Sequence, residues 1–142
     1  MSAILFILLV EILAYLLHKR ADIEGIKVES VELKILQFAD DTNIFISNKE
    51  QIPKVLKLLK FFEKISGLKT NIEKTIAYQI GVNHHNEIKG KTYGLKWETN
   101  SISILGLTIT EDEMSNYKTN FEKRIQRIQT LTNIWSQREL TI

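Results

Sequence analysis

The sequence contains no cysteine. That excludes disulfide frameworks, thiolate zinc sites and thiol nucleophiles, leaves oxygen and histidine as the only metal donors, and predicts an intracellular protein, with nucleus and cytoplasm left open. With one proline and six glycines in 142 residues, the chain has no Pro/Gly-rich linker, and no repeat or low-complexity tract divides it. A membrane-spanning run is missing too. Ala3 to Leu17 is apolar apart from Glu11 and is followed by His18, Lys19 and Arg20, yet it is shorter than the ~20 apolar residues that cross a bilayer. Neither a positive n-region nor a small-residue cleavage site accompanies it. The expectation there is a buried core helix and no membrane partner; a small membrane-anchored protein is the rival reading.

With 44% hydrophobic and 25% charged residues, the chain has the balance of one globular domain of modest size. A net charge of +2 is too small to signal a polyanion partner, but the sum conceals blocks. Residues 1–49 carry five Lys/Arg against seven Asp/Glu, and residues 50–75 carry six against three. Residues 76–114 carry three against five, and residues 115–142 five against two. A basic surface beside a small acidic cluster suits a polyanion channel leading to a divalent-metal site, although solvated helix faces produce similar counts.

Along the chain, residues 3–19 read as a helix. Lys27–Ser30 and Leu33–Phe38 read as strands, rich in β-branched residues and alternating in polarity. Thr42, Ile44 and Ile46 alternate with Asn43, Phe45 and Ser47, so Ala39, Asp40 and Asp41 form a tight turn between two strands. Ile52 to Ile65 sets Ile52, Val55, Leu56, Leu59 and Phe62 on one helical face, with Lys54, Lys57, Lys60 and Lys64 mostly on the other. Ser47 and Glu50 have capping-box spacing, but a helix begun there would carry Pro53 past its first turn, so the start is expected near Ile52. Gly67 is the C-terminal glycine. Thr75–Ile80, Leu95–Trp97 and Ser101–Thr108 supply further strands, and Gly81–Gly94 a polar surface loop. The last segment is a long amphipathic helix with Tyr117, Phe121, Ile125, Ile128, Leu131 and Trp135 on one stripe. Helices alternating with hairpin strands predict an α+β fold, an antiparallel sheet covered by helices on one face.

Two adjacent aspartates in a hairpin turn are the arrangement with catalytic meaning. Unit charges about 5 Å apart repel by roughly 3 kcal/mol at an effective dielectric of 20, so the pair calls for solvent, a proton or a cation. Hard carboxylate oxygens suit Mg²⁺, with Mn²⁺ a substitute, and that chemistry serves nucleotidyl transfer. Most Asp-Asp pairs, however, merely occupy solvated turns. His84-His85 lacks a carboxylate at ligand spacing and reads as surface. Trp97 and Trp135 could stack on bases, but Trp135 sits on the apolar stripe and is expected in the core.

Context narrows the choice. Leu36-Gln37-Phe38-Ala39-Asp40-Asp41-Thr42, with apolar strands on both sides, resembles the aromatic-Ala-Asp-Asp palm motif of reverse transcriptases. Met1-Ser2-Ala3-Ile4-Leu5-Phe6 resembles the end of that family's Pro-Leu-Ser-Pro-Leu-Leu-Phe motif, and Glu11-Ile12-Leu13-Ala14 continues its helix. Ser66-Gly67-Leu68-Lys69-Thr70-Asn71-Ile72-Glu73-Lys74-Thr75 is similar to the segment after the next helix almost residue for residue. Ile104-Leu105-Gly106 resembles the Tyr-Leu-Gly of the primer-grip hairpin. Trp135-Ser136-Gln137-Arg138-Glu139-Leu140 resembles the thumb segment of LINE-type non-LTR retrotransposon polymerases.

The resemblance implies a partial right-hand palm over residues 1–110 and the helical start of a thumb over 111–142. It implies an RNA-directed DNA polymerase whose partners are an RNA template, a DNA primer and deoxynucleoside triphosphates. Asp40 is then a metal ligand with Asp41 beside it, Lys74 lies near the incoming triphosphate, and Leu105 and Gly106 belong to the primer grip. Read without the family, Lys74 is a solvated charge. The sequence departs from the pattern in lacking the Gln-Gly before the Leu-Ser-Pro run, in Ser2-Ala3 for Ser-Pro, and in Ile104 for tyrosine. Fingers and a further metal-binding aspartate on an upstream strand have no counterpart here, so the expectation is a fragment inactive by itself. The alternative is a non-enzymatic nucleic-acid-binding module using the basic blocks 50–75 and 115–142.

Overall fold

The computed structural model describes residues 3–81 and 92–137. The fold is α+β, and its described residues divide into two compact units, one built on residues 3–75 and 92–96, the other on 76–81 and 97–137.

In the first unit α1 (Ala3–Lys19) ends with His18 and Lys19 in its last turn, where cations offset the negative end of the helix dipole. It packs against α2 (Ile52–Ser66). Leu13, Leu17 and Ile23 meet Val55, Leu58 and Phe62 in the core, and Leu9, Leu16, Leu59 and Leu68 close around them. α1 is not the wholly buried helix that its composition predicts. Ile4, Leu5, Leu8 and Tyr15 are half or more exposed, because only one side of the helix has a neighbour.

α2 starts at Ile52 as expected, with Pro53 in its first turn. A short 3₁₀ turn (Lys49–Gln51) precedes it, and the cap is Asn48, whose Oδ1 accepts from the Glu50 amide at 3.0 Å. Gly67 ends the helix at φ 73°, a left-handed conformation that a side chain would strain.

Between the helices lie two hairpins. β1 (Ile26–Val28) pairs antiparallel with β2 (Val31–Leu33) across Glu29-Ser30, and β3 (Ile35–Phe38) with β4 (Asp41–Ile44) across Ala39-Asp40. The first was not legible as a hairpin, since its turn has no Gly, Asn or Asp and places Glu29 at φ 55°. Ile35, Ile44 and Ile46 turn inward onto the helical core. Lys34, 5% exposed, closes the junction of the hairpins by donating to the Arg20 carbonyl at 3.0 Å.

β5 (Ile76–Tyr78) pairs with β6 (Lys96–Glu98), whose first residue closes the first unit, and in the second unit β7 (Ser101–Ile104) pairs antiparallel with β8 (Leu107–Thr110). The described strands thus form four two-stranded sheets and no single larger sheet. The chain then runs through α3 (Glu113–Tyr117), a π-helical stretch (Lys118–Glu122) and α4 (Lys123–Ser136). Asp112 caps this helix by accepting from the Ser115 amide at 2.7 Å. The apolar stripe from Tyr117 to Trp135 is present, and among the described residues its side chains are exposed. Trp135 is 59% exposed, which corrects its expected place in the core, because α4 has no buried residue.

Candidate active site

The β3–β4 hairpin fixes where the two aspartates stand. Its register is Ile35↔Ile44, Leu36↔Asn43, Gln37↔Thr42 and Phe38↔Asp41. The turn therefore holds two residues, Ala39 and Asp40, and Asp41 already belongs to β4, one position later than the sequence suggests. Cross-strand partners share a face, so Asp41 stands beside Phe38 on the outward face, while Ile35 and Ile44 hold the inward one. Asp40 occupies the turn itself. Only the first turn residue has positive φ, Ala39 at 52°, as in a type II′ turn, where glycine is the usual occupant.

Both carboxylates are exposed, and neither takes part in an ion pair or accepts a side-chain or cap hydrogen bond among the described residues. Adjacent acceptor-only groups without donors are what a hard cation needs from its ligands. The pair stops short of a full set: no group of three or more His, Asp or Glu side chains able to hold a metal occurs among the described residues. Beside the hairpin, Phe6, Ile7, Val10, Glu11, Gln37 and Ala39 line a shallow depression of about 200 Å³. Gln37 fixes one wall by donating to the Val10 carbonyl at 3.4 Å.

The segment after α2 is built by side chains bonding to backbone. The Glu63 carboxylate accepts from the Thr70 amide at 2.6 Å, and the Ser66 hydroxyl accepts from the Leu68 amide at 3.1 Å. Asn71 Oδ1 accepts from the Lys74 amide at 3.2 Å, and the Thr75 hydroxyl donates to the Asn71 carbonyl at 2.8 Å. Leu68 anchors the stretch to the core, and Lys69 and Lys74 are left exposed. No ion pair joins Lys74 to Asp40 or Asp41 within the described residues.

Leu105 and Gly106 form the two-residue turn between β7 and β8, at φ 50° and 76°. Positive φ at both positions defines a type I′ turn. Sequence reasoning missed what holds it. Asn120, 7% exposed, accepts from the Thr108 amide at 2.8 Å and donates to the Thr108 carbonyl at 2.6 Å. Asn116 does the same at Thr110, at 2.6 and 3.0 Å. Arg124 donates to the Gly106 carbonyl. Helix positions four apart thus bind strand positions two apart. In a regular α-helix such positions drift about 40° per step, and the wider winding over Lys118–Glu122 counters that drift. The recoverable signal was the spacing Asn116, Asn120, Arg124.

Charges elsewhere serve the fold. The Arg20 guanidinium, hydrogen-bonded to Asp22 at 2.6 and 2.7 Å, holds that carboxyl down at about 2. Hydrogen bonds from Ser115 lower Asp112, and burial, reinforced by Glu111, raises Tyr78. Of the remaining candidates, Trp97 is half-buried, and His84 and His85 lie outside the described residues, as do Arg138 to Leu140 of the thumb-like segment.

The Asp40–Asp41 hairpin and the backbone-tied segment around Lys74 belong to the first unit, and the Leu105–Gly106 hairpin to the second. The family model described as reverse transcriptase (RNA-dependent DNA polymerase) matches residues 1–109. The chain belongs to the reverse transcriptase family. Among its described residues no helix is long and apolar enough to cross a membrane.

Proposed function

We propose that this chain is the palm part, with the start of the thumb over residues 111–142, of an RNA-directed DNA polymerase of a LINE-type non-LTR retrotransposon. The observation that carries the reading is the exposed Asp40–Asp41 pair, without an ion-pair partner among the described residues, on a hairpin inside the family match. When bound, a divalent cation, Mg²⁺ or in its place Mn²⁺, lowers the pKa of the attacking 3′-hydroxyl and neutralises charge on the pyrophosphate leaving group. Asp40 is a ligand to it, and Asp41 supports the charge and geometry of that ligand. Lys74 faces the incoming deoxynucleoside triphosphate and steadies its charge. The Leu105–Gly106 turn bears on the DNA primer, which is paired to the RNA template. A further carboxylate would be needed to complete the metal site, since no group of three or more candidate ligands occurs among the described residues.

Two measurements test this. Mn²⁺ titrated into the isotopically labelled chain should broaden the amide signals of Ala39 to Thr42 first, and Asp40→Asn should abolish that selectivity. Given primer, template and nucleotides, the chain alone should incorporate nothing above background. Uniform broadening, or template-dependent extension that survives Asp40→Asn, would overturn the assignment.

A further inference from the structure

The outward side of α2 has a composition that the fold does not use. At 100° per residue, Lys57, Lys60, Phe61 and Lys64 fall within an arc of about 100°, opposite the buried Val55, Leu58 and Phe62. Phe61 is 52% exposed, and the three lysines around it are exposed and free of ion pairs among the described residues. The remaining charges of the helix are committed elsewhere. Lys54 donates to the Asp22 carbonyl at 2.9 Å, and Glu63, the one acidic residue of α2, is spent on the Thr70 amide. What remains is an aromatic ring framed by three unneutralised ammonium groups, on a rigid helix whose other side is fixed in the core.

We propose that Lys57, Lys60, Phe61 and Lys64 form a binding face for single-stranded RNA, separate from the Asp40–Asp41 hairpin. Phe61 stacks on an unpaired base and the lysines meet flanking phosphates, a combination that tolerates any sequence. Charge complementarity selects a polyanion, and the exposed ring selects one with accessible bases. A duplex, whose bases are stacked away, cannot use Phe61. An anionic membrane fits poorly, because most of the apolar side of α2 is buried in the core and only Phe61 and Ile65 of its large apolar residues are left exposed to enter a bilayer. That the polymer is RNA rests on the RNA-dependent activity of the family; the stacking and phosphate contacts do not depend on the polymerase reading.

The test is fluorescence anisotropy of the whole 142-residue chain with a labelled uridine-rich RNA of about 12 nucleotides, within the site sizes of stacking platforms. Phe61→Ala should weaken binding about tenfold and Phe61→Trp should preserve it. Changing Lys57, Lys60 and Lys64 together to Gln should lower the slope of log affinity against log salt by about 2, at roughly 0.7 per phosphate contact. Asp40→Asn should leave binding unchanged, which separates this face from the metal site. Unaltered affinity in Phe61→Ala, a slope unchanged in the triple variant, equal affinity for duplex RNA, or competition by vesicles of phosphatidylserine would each overturn the proposal. The three lysines are exposed and Phe61 is 52% exposed. Phe61→Trp, which keeps a ring in place, therefore controls for packing lost in Phe61→Ala, and a Phe61→Ala effect that Phe61→Trp fails to reverse would also count against stacking.

Discussion

The β3–β4 and β7–β8 hairpins share a plan and differ in restraint. Each joins two four-residue strands by a two-residue turn that puts a non-glycine residue at positive φ, Ala39 in one and Leu105 in the other. Around Ala39-Asp40 no side-chain hydrogen bond to the turn backbone occurs among the described residues, and two carboxylates stand exposed. Around Leu105-Gly106, Arg124, Asn120 and Asn116 bind the backbone at every second residue from Gly106 to Thr110. Two-residue turns of different type therefore differ in use: one leaves its side chains exposed, the other has its backbone held in place. Strain in a tight turn is tolerated where surrounding structure or function repays it.

The largest effect should follow from removing charge at the open turn. In a polymerase that joins this segment to fingers and the upstream strand, Asp40→Asn should cut nucleotide addition by about three orders of magnitude or more while leaving the melting temperature at the parental value. Asp41→Asn should cost less, and Phe38→Tyr should matter little, since the ring remains in place. Primer-extension rates set beside thermal melts would decide the matter; near-normal extension by Asp40→Asn would reduce the open turn to an ordinary one.

At the restrained turn the ranking inverts, with stability responding first. Asn120→Ala strips both partners from the Thr108 amide and carbonyl and should cost about 2 kcal/mol in urea unfolding. Asn116→Ala, at a more exposed rung, should cost about 1 kcal/mol. If the two variants unfold at the parental midpoint, the clamp contributes nothing and the contrast between hairpins collapses.

A smaller change tests the strain itself. Leu105→Asn should stabilise by about 1 kcal/mol, because asparagine tolerates left-handed φ. Ala39→Gly should gain less, since glycine's entropic cost offsets part of the relief. The smallest effect concerns carboxylates that have partners. Asp22, held at about 2 by Arg20 against an ordinary value of 3.8, contributes stability that is complete above pH 4 and is lost as pH falls toward 2. Asp22→Asn should flatten that stretch of the pH profile of urea stability, and an unchanged profile would show the ion pair to be idle.

Much of this was legible in the sequence. Helix α2, its start at Ile52 and its end at Gly67 follow from apolar spacing, Pro53 and a glycine at the boundary. The Ile35/Ile44 face and the aspartate turn follow from alternation, with the turn one residue shorter than expected. The Glu29-Ser30 hairpin was not legible because its turn runs against local preference, and such turns are decided by what packs around them. α1 and α4 misled in a single way: periodicity tells which face is apolar, and whether anything covers that face depends on neighbours that no local pattern encodes. For the site, the Asp40–Asp41 pair read alone is as easily a solvated turn as a metal site, so Asp40 and Asp41, like Lys74, Leu105 and Gly106, acquire their proposed roles through the family resemblance. The asparagine clamp stayed hidden because polar residues on a helix ordinarily face water.

That clamp also works as a ruler. Helix positions four apart are matched to strand positions two apart, through a π-helical stretch at Lys118–Glu122 that lies between the first rung and the last. The next position on the helix is Ile128, with no polar group to offer. Length is thereby written into the joint: an insertion of one residue anywhere between Asn116 and Arg124, or between Gly106 and Thr110, throws the two scales out of phase. Changes of length in this region should therefore be accepted only outside those two stretches.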